Sequence, residues 1–279
     1  MIIKCWGSRG SIPVSGKEFN RFGGDSTCVE IRTKNNEIII VDSGSGVRRL
    51  GNHILTEENK VLNFVFTHSH WDHMLGFPFF KPLYHKEYKI NIFGCPFAQD
   101  AIHKMFSPSM IPPFLPIEYE DLRAEMQFND LLPAPFEIDS VTVVPIALSH
   151  PNYAKGYKFI EDGKSFVFFT DNEIQYKHPG SLDYGEYVQF VKHSDLLFHD
   201  AEYTAKEYEH TKSWGHSTYE DAVQFALDAD VKMLGLFHHN QDRTDEQIVD
   251  FVADCNEILD NSGSDIKCFA VGCDTVIEL

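Results

Sequence analysis

Short apolar runs dominate this chain. Residues 1–6, 28–32, 37–41, 61–66, 88–93, 141–148, 157–160, 165–169, 195–198, 232–237 and 266–271 are rich in β-branched and aromatic side chains. Each is bounded by turn-forming residues and predicts a strand. Asn35-Asn36 and Asp162-Gly163 close two hairpins. Helical spacing is present at 47–55, 97–106, 185–194, 217–227 and 244–259, with Ser217 or Thr218 as the cap of the fourth helix. Residues 107–116 hold four prolines in ten positions and cannot form a regular helix. They read either as a lid over a pocket or as a surface connection held by Phe114 and Leu115. Strands and helices fill the first half and then the second. That order fits two sheets packed face to face with helices outside, in one domain over residues 1–279. There is no internal sequence repeat.

The strand ends carry the chemistry. The strand at 61–66 runs directly into Thr67-His68-Ser69-His70-Trp71-Asp72-His73, with four metal-capable side chains within six residues. A helix or turn is expected to begin at Met74. Imidazoles together with a carboxylate suit zinc, manganese or iron. Four further strands end on titratable residues, at His150, Asp171, His199-Asp200 and His238. A sheet scaffold builds one site from distant segments in this way. Asp42, at the end of another strand, reads either as a partner for a metal-bound histidine or as a cap for the next turn or helix. Gly7-Ser8-Arg9-Gly10-Ser11 reads as a plain turn rather than a phosphate cradle, because it lacks the lysine and spacing of a P-loop. Arg243 reads as a substrate contact or a surface ion pair.

Charge narrows the substrate. Lys and Arg number 24 against 42 Asp and Glu, a formal charge of −18. A field of that sign disfavours a broad nucleic-acid groove, whereas a small anion held by metal ions is compatible with it. Six cysteines without a CxxC pair, and no leader-like start, read as reduced thiols of a cytoplasmic protein. No apolar run is long enough for a membrane helix.

His68-Ser69-His70-Trp71-Asp72-His73, followed in order by His150, Asp171 and His238, resembles the metallo-β-lactamase superfamily. The resemblance covers nearly the whole chain. It implies an α/β fold, a four-layer αββα sandwich, and two divalent ions (Zn, Mn or Fe). By the same resemblance His68, His70 and His150 hold one ion, Asp72, His73 and His238 hold the other, and Asp171 bridges them. His239 is then not the ligand, because the ligand follows the apolar strand directly. The complete HxHxDH motif points to hydrolysis. Phe198-His199-Asp200-Ala201-Glu202-Tyr203 and Gly215-His216-Ser217-Thr218 are similar to segments of the phosphodiesterase branch, which includes tRNA 3′-processing endonucleases and cyclic-phosphate diesterases. That match makes Asp200 and His216 a carboxylate–histidine pair beside the metals, acting in catalysis with Asp72. The glycine-rich RNA-binding arm of those endonucleases has no counterpart here. The expected substrate is therefore a small, possibly cyclic, phosphodiester and not full-length tRNA. A thioester, lactone or lactam hydrolase on the same metal core is the alternative, and a non-catalytic binding protein of this fold is a more distant one. Relatives of this kind are commonly homodimers.

Overall fold

A computed structural model describes residues 1–94, 107, 110–113, 115–130 and 134–279. Ile2–Gly7 (β1), Cys28–Arg32 (β2), Ile38–Val41 (β3), Val61–Val65 (β4), Lys89–Gly94 (β5) and Glu125–Asp130 (β6) lie side by side in one sheet. Val276–Glu278 (β14) returns from the far end of the chain and adds to β1. The second sheet contains Phe136–Ile138 (β7), Val141–Ala147 (β8), Lys155–Glu161 (β9), Lys164–Phe169 (β10), Leu196–Asp200 (β11), Met233–Phe237 (β12) and Lys267–Ala270 (β13), again in chain order.

The two sheets share one topology. The order β14-β1-β2-β3 is antiparallel and β3-β4-β5-β6 is parallel. In the second sheet β7-β8-β9-β10 is antiparallel and β10-β11-β12-β13 is parallel. The halves therefore repeat in space although no repeat is visible in sequence. By this order β1 corresponds to β8, β3 to β10 and β4 to β11. All six strands run in the same sense within their sheets, so each half brings its loops to one edge.

Alternation along the strands sorts side chains into layers. Ile39 and Val41 of β3 join Phe166 and Phe168 of β10 in the apolar cluster between the sheets. Ile38, Ile40, Leu62 and Phe64 face outward, against Val47–Ile54 (α1). Val167, Phe169, Leu197, Leu234 and Leu236 face the other way. They meet Tyr184–Val191 (α3), Tyr219–Asp228 (α5) and Asp245–Ser262 (α6). This is the αββα sandwich. The inter-sheet layer is aromatic: Phe166 meets Phe198 edge-on at 4.9 Å, and Phe168 meets Phe237 at 5.1 Å. Burial of each such ring contributes roughly 1.5–3 kcal/mol.

The elements differ from the sequence reading where strands are short or exposed. β7 and β14 are three residues each, too short to show a period. In β6, Glu125, Gln127 and Asn129 alternate with Met126 and Phe128, which pack partly on the outer layer. Ala205–Thr211 (α4) buries no residue and so has no apolar stripe; the Thr204/Glu207 capping box marks its start. A short helix, Trp71–Met74 (α2), begins already inside the motif, and the turn expected from Met74 follows at Leu75-Gly76, leading into the helical turn Phe77–Phe79. The helix expected at 97–106 lies outside the described residues. From the 107–116 segment, Met110 and Leu115 pack into the outer cluster of the first sheet. The five described cysteines are free thiols. No described helix is long and apolar enough to cross a membrane.

Candidate metal centre

The site forms where the loops after β1, β3, β4, β8, β10, β11 and β12 meet. Three of its residues turn the chain sharply out of a strand in left-handed conformations: Asp42 (φ 60), Asp171 (φ 49) and His238 (φ 57). Such backbone is unfavourable for side-chain-bearing residues and persists where the surroundings over-determine it. Here the turn lifts each side chain over the sheet edge. Asp42 and Asp171 sit at corresponding strand ends of the two halves. The sheets are also joined just below the site. Tyr157 Oη donates to Phe66 O at 2.7 Å, and Lys155 N donates to Thr67 O at 3.0 Å.

Two donor groups result, and Asp171, His216 and His238 form a third set that shares members with both. His68, His70, His150 and Asp171 present ligand atoms within 4.8 Å of one another, as do Asp72, His73 and His238. Asp171 faces both. Its Oδ2 lies 3.6 Å from His68 Nε2 and 3.7 Å from His150 Nε2. Its Oδ1 lies 3.1 Å from His73 Nε2 and 3.4 Å from His238 Nε2. Asp72 Oδ2 closes the second group at 3.3 Å from His73 Nε2 and 3.2 Å from His238 Nε2. All seven predicted ligands are thus gathered in one place. Apart from His70, which is partly buried, each is shielded from solvent.

Outer partners set the tautomers. His73 Nδ1–H donates to Asp42 Oδ2 at 2.8 Å, and His150 Nδ1–H donates to Gly215 O at 2.9 Å. His238 Nδ1–H donates to Glu202 Oε2 at 2.9 Å. His68 Nδ1–H donates to Thr67 Oγ1 at 3.1 Å, and that hydroxyl donates to Asp42 Oδ2 at 2.7 Å. Each of these rings therefore turns Nε2 inward, toward the gathered carboxylates and histidines. Asp42 acts as the histidine partner; α1 starts at Gly46 without a side-chain cap.

The electrostatics suit a cation. Burial takes His68 and His70 below the ordinary imidazole range and His150 down to about 3. Burial acts the same way on His73 and His238, but Asp171, Asp72 and further carboxylates outweigh it and hold both well above. Burial acts to raise Asp171 and Asp72, and the surrounding histidines override it and hold both well below the usual carboxylate range. His68 Nε2 and His73 Nε2 are buried with no hydrogen-bond partner. Unpaired buried ring nitrogens are costly, and a divalent metal ion would satisfy them. The nitrogen-and-oxygen donor set fits such ions.

His216 stands beside the second group, stacked on His238 with ring centroids 4.8 Å apart. Its Nδ1–H donates to Asp200 Oδ2 at 2.6 Å, with Glu202 Oε2 at 3.3 Å. Burial acts to lower its pKa, but Glu202 and Asp200 together raise it to about 9. Asp200 itself is raised by burial. His199, one residue earlier, has the opposite strand parity. It faces the helical layer, donating from Nδ1 to Asp200 O at 2.7 Å and ringed by Phe169 and Phe225. His239 turns Nε2 to Val271 O at 2.8 Å, away from the donor groups. Arg243 is itself buried and forms an ion pair at 2.5 Å with the partly exposed Glu207 carboxylate, in line with the ion-pair reading.

Several supporting residues escaped the sequence reading. Glu202 orients His238 and lies two residues after Asp200, on the same strand parity. Buried Glu173 accepts from Tyr208 Oη at 2.7 Å, Ser213 N at 2.6 Å, Gly215 N at 2.8 Å and His178 Nε2 at 2.8 Å. It thereby pins the loop whose Gly215 carbonyl holds His150. The Gly7–Ser11 turn covers the second group. Ser11 N donates to Asp72 Oδ2 at 2.9 Å and Gly10 N donates to His239 O at 2.9 Å, so these amides are not free to cradle phosphate. Buried Arg9 ties the turn down by donating to Gly23 O, Asn240 O and Arg243 O.

Comparisons with known proteins agree with this geometry. Ribonuclease Z of Picrophilus torridus is 25% identical over 279 aligned positions, covering 85% of each chain. The metallo-β-lactamase fold protein YhfI of Bacillus subtilis superposes with a TM-score of 0.74 at 14% identity, covering 100% of this chain and 98% of that one. A diphosphatase of the PhnP family superposes with a TM-score of 0.68 at 17% identity, covering 100% and 97%. Residues 38–239, from β3 through the end of the β12 loop, match the model of the beta-lactamase superfamily domain. With its fold and most of its length accounted for in this way, the chain belongs to the beta-lactamase superfamily.

Proposed function

We propose that the protein is a metal-dependent phosphodiesterase with two divalent ions, zinc, manganese or iron, acting on a small anionic phosphodiester. The observation that carries this reading is Asp171, whose two oxygens face separate histidine groups. His68, His70 and His150 would hold one ion, Asp72, His73 and His238 the other, and Asp171 would join them. Ions bound there supply Lewis-acid stabilisation of a phosphoryl group and lower the pKa of a water toward neutrality.

The chain's own residues supply the rest. Asp200 fixes the ring of His216 through Nδ1, leaving Nε2–H to hydrogen-bond the phosphate or to protonate the leaving alkoxide. Such a general acid is worth roughly 10²–10⁴-fold in rate. Asp42, Glu202 and the Gly215 carbonyl keep the metal-facing imidazoles in one tautomer. The names of the relatives support phosphate-ester chemistry, since one set are ribonucleases and one structural neighbour is a diphosphatase. The charge of −18 favours a small substrate over full-length tRNA.

The test is hydrolysis of bis(p-nitrophenyl) phosphate by chelator-stripped protein reloaded with manganese or zinc. Turnover is expected with metal and is expected to vanish in His68→Ala. No turnover by protein carrying two ions per chain would overturn the phosphodiesterase reading and shift it to thioesters or lactones.

A further inference from the structure

A cavity of about 440 Å³ opens beside the metal centre, in the size range of small-molecule sites. His216 belongs to both, so one alcohol of a phosphodiester that contacts His216 extends into the cavity. Trp214, Tyr203, Glu207, His210 and Asp242 are among its lining.

The wall residues are held by the fold. Trp214 N donates to Thr211 O at 3.0 Å, and the amides on either side of it, Ser213 N and Gly215 N, donate to Glu173. Asp242 N donates to Asn240 Oδ1 at 2.9 Å, and Asn240 Nδ2 donates to Glu202 Oε1 at 2.9 Å. The Trp214 indole is nevertheless 61% exposed, an aromatic face that the packing does not use.

The charged lining leaves carboxylate oxygens open and no lysine or arginine nitrogen open among the described residues. Glu207 accepts from Thr204 N, Thr204 Oγ1 and Arg243 Nη2 through Oε2 alone, and no described donor reaches Oε1. Arg243 offsets the Glu207 charge, donates to Glu202 O and lies over the Phe251 ring at 4.6 Å. Asp242 is exposed, and among the described residues its carboxylate meets only Gln241 Nε2, at 3.5 Å. Its charge is thus offset by no described cation. His210, exposed on the last turn of α4, is a further ionisable member of the lining. An exposed indole near an unpaired carboxylate attracts an organic cation and disfavours a second phosphate.

We propose that the cavity is an onium subsite, taking a quaternary ammonium alcohol esterified to the phosphate that the metal centre receives. The substrate is then a zwitterionic diester, with its negative charge at the metal centre and its positive charge at Trp214 and Asp242. A zwitterion also meets less repulsion than an anionic diester from a chain of charge −18. The inference rests on the phosphodiesterase reading and deepens it by naming the substrate class.

The experiment measures inhibition of bis(p-nitrophenyl) phosphate hydrolysis by the metal-loaded full chain. Two competitors are compared: methyl choline phosphate and methyl 3,3-dimethylbutyl phosphate, in which carbon replaces the quaternary nitrogen. The choline ester is expected to bind with a Ki about ten-fold lower. That ratio is expected to fall about five-fold in Trp214→Ala and about two-fold in Asp242→Asn. Both side chains are exposed, so their loss leaves the core packing intact, and a ratio taken within one variant is independent of its turnover. A wild-type ratio near one, or a ratio unmoved by either substitution, would overturn the subsite. Tighter binding of the carbon isostere would overturn it in favour of an apolar alcohol. In each of these cases turnover of bis(p-nitrophenyl) phosphate leaves the phosphodiesterase reading standing. Absence of that turnover in protein carrying two ions per chain overturns the phosphodiesterase reading and the subsite with it.

Discussion

Gly10 illustrates how little space the centre leaves around single residues. A Cβ built on it would meet the His238 ring at 2.4 Å, closer than real contacts allow. The ring cannot retreat freely, because Glu202 holds its Nδ1 and His216 stacks on its face. Gly10→Ala is therefore expected to push His238 away from Asp72 and Asp171 and to weaken one of the two proposed metal sites selectively. Metal titration of the variant should give one site near wild-type affinity and a second weakened about ten-fold or more. Two unaltered sites would mean that the turn yields instead of the ring. Gly215 makes the same point on the other side: it adopts φ 101, and a Cβ there would lie 2.1 Å from His150 Nδ1.

At the scale of elements, the site depends on loops that are themselves pinned. The 213–215 loop has no regular structure of its own, yet it leads directly to His216 beside the donor groups. Its anchor is Glu173, buried and accepting four hydrogen bonds, two of them from loop amides. Glu173→Gln replaces one acceptor oxygen with an NH2 group that faces a loop amide as a second donor, Gly215 N beside His178 or Ser213 N beside the Tyr208 hydroxyl. The Gly215 carbonyl then loses its fixed position under His150. Affinity for the ion that His68, His70 and His150 are proposed to hold is expected to fall about 10–100-fold, the usual cost of losing an outer partner. Amide hydrogen exchange across 213–216 should accelerate in parallel. Metal affinity and exchange rates matching wild type would show that the loop holds without Glu173.

Across the whole molecule, buried neutral histidines link stability to pH. His199 lies fully buried between β11 and the helical layer, and burial holds its pKa at about 4, below the ordinary value near 6.5. Above pH 6.5 neither folded nor unfolded chain is protonated at this ring, and its contribution is intact. As pH falls from 6.5 toward 4 the unfolded chain takes up a proton that the folded chain refuses, so stability is lost. Below 4 both are protonated and the loss levels off. The total is on the order of 3 kcal/mol. Urea melts of His199→Gln should therefore fall less steeply between pH 6.5 and 4 than those of the wild type. An identical slope would place the acid sensitivity elsewhere.

Alternation and strand-end residues were legible in the sequence, because burial on one face imposes a period of two and because a metal needs a small set of donor types. They sufficed for the two sheets, the His68–His73 cluster and the candidates His150, Asp171, Asp200 and His238. Sequence proximity could not decide what each neighbour does. His199 and Asp200 are adjacent, yet strand parity sends one into the helical layer and the other to His216. His238 and His239 differ in the same way. Glu173 carries no signature, and Glu202, Gly10 and Gly215 fall in recognisable segments that do not reveal their roles, since those roles consist of contacts between segments far apart in the chain. The repeat of the two halves was equally hidden, because a topology is conserved by backbone pairing and not by side-chain identity. Local chemistry and periodicity were written in the sequence; which side chains converge, and what holds them there, was decided only when the two sheets closed on each other and buried the polar groups together.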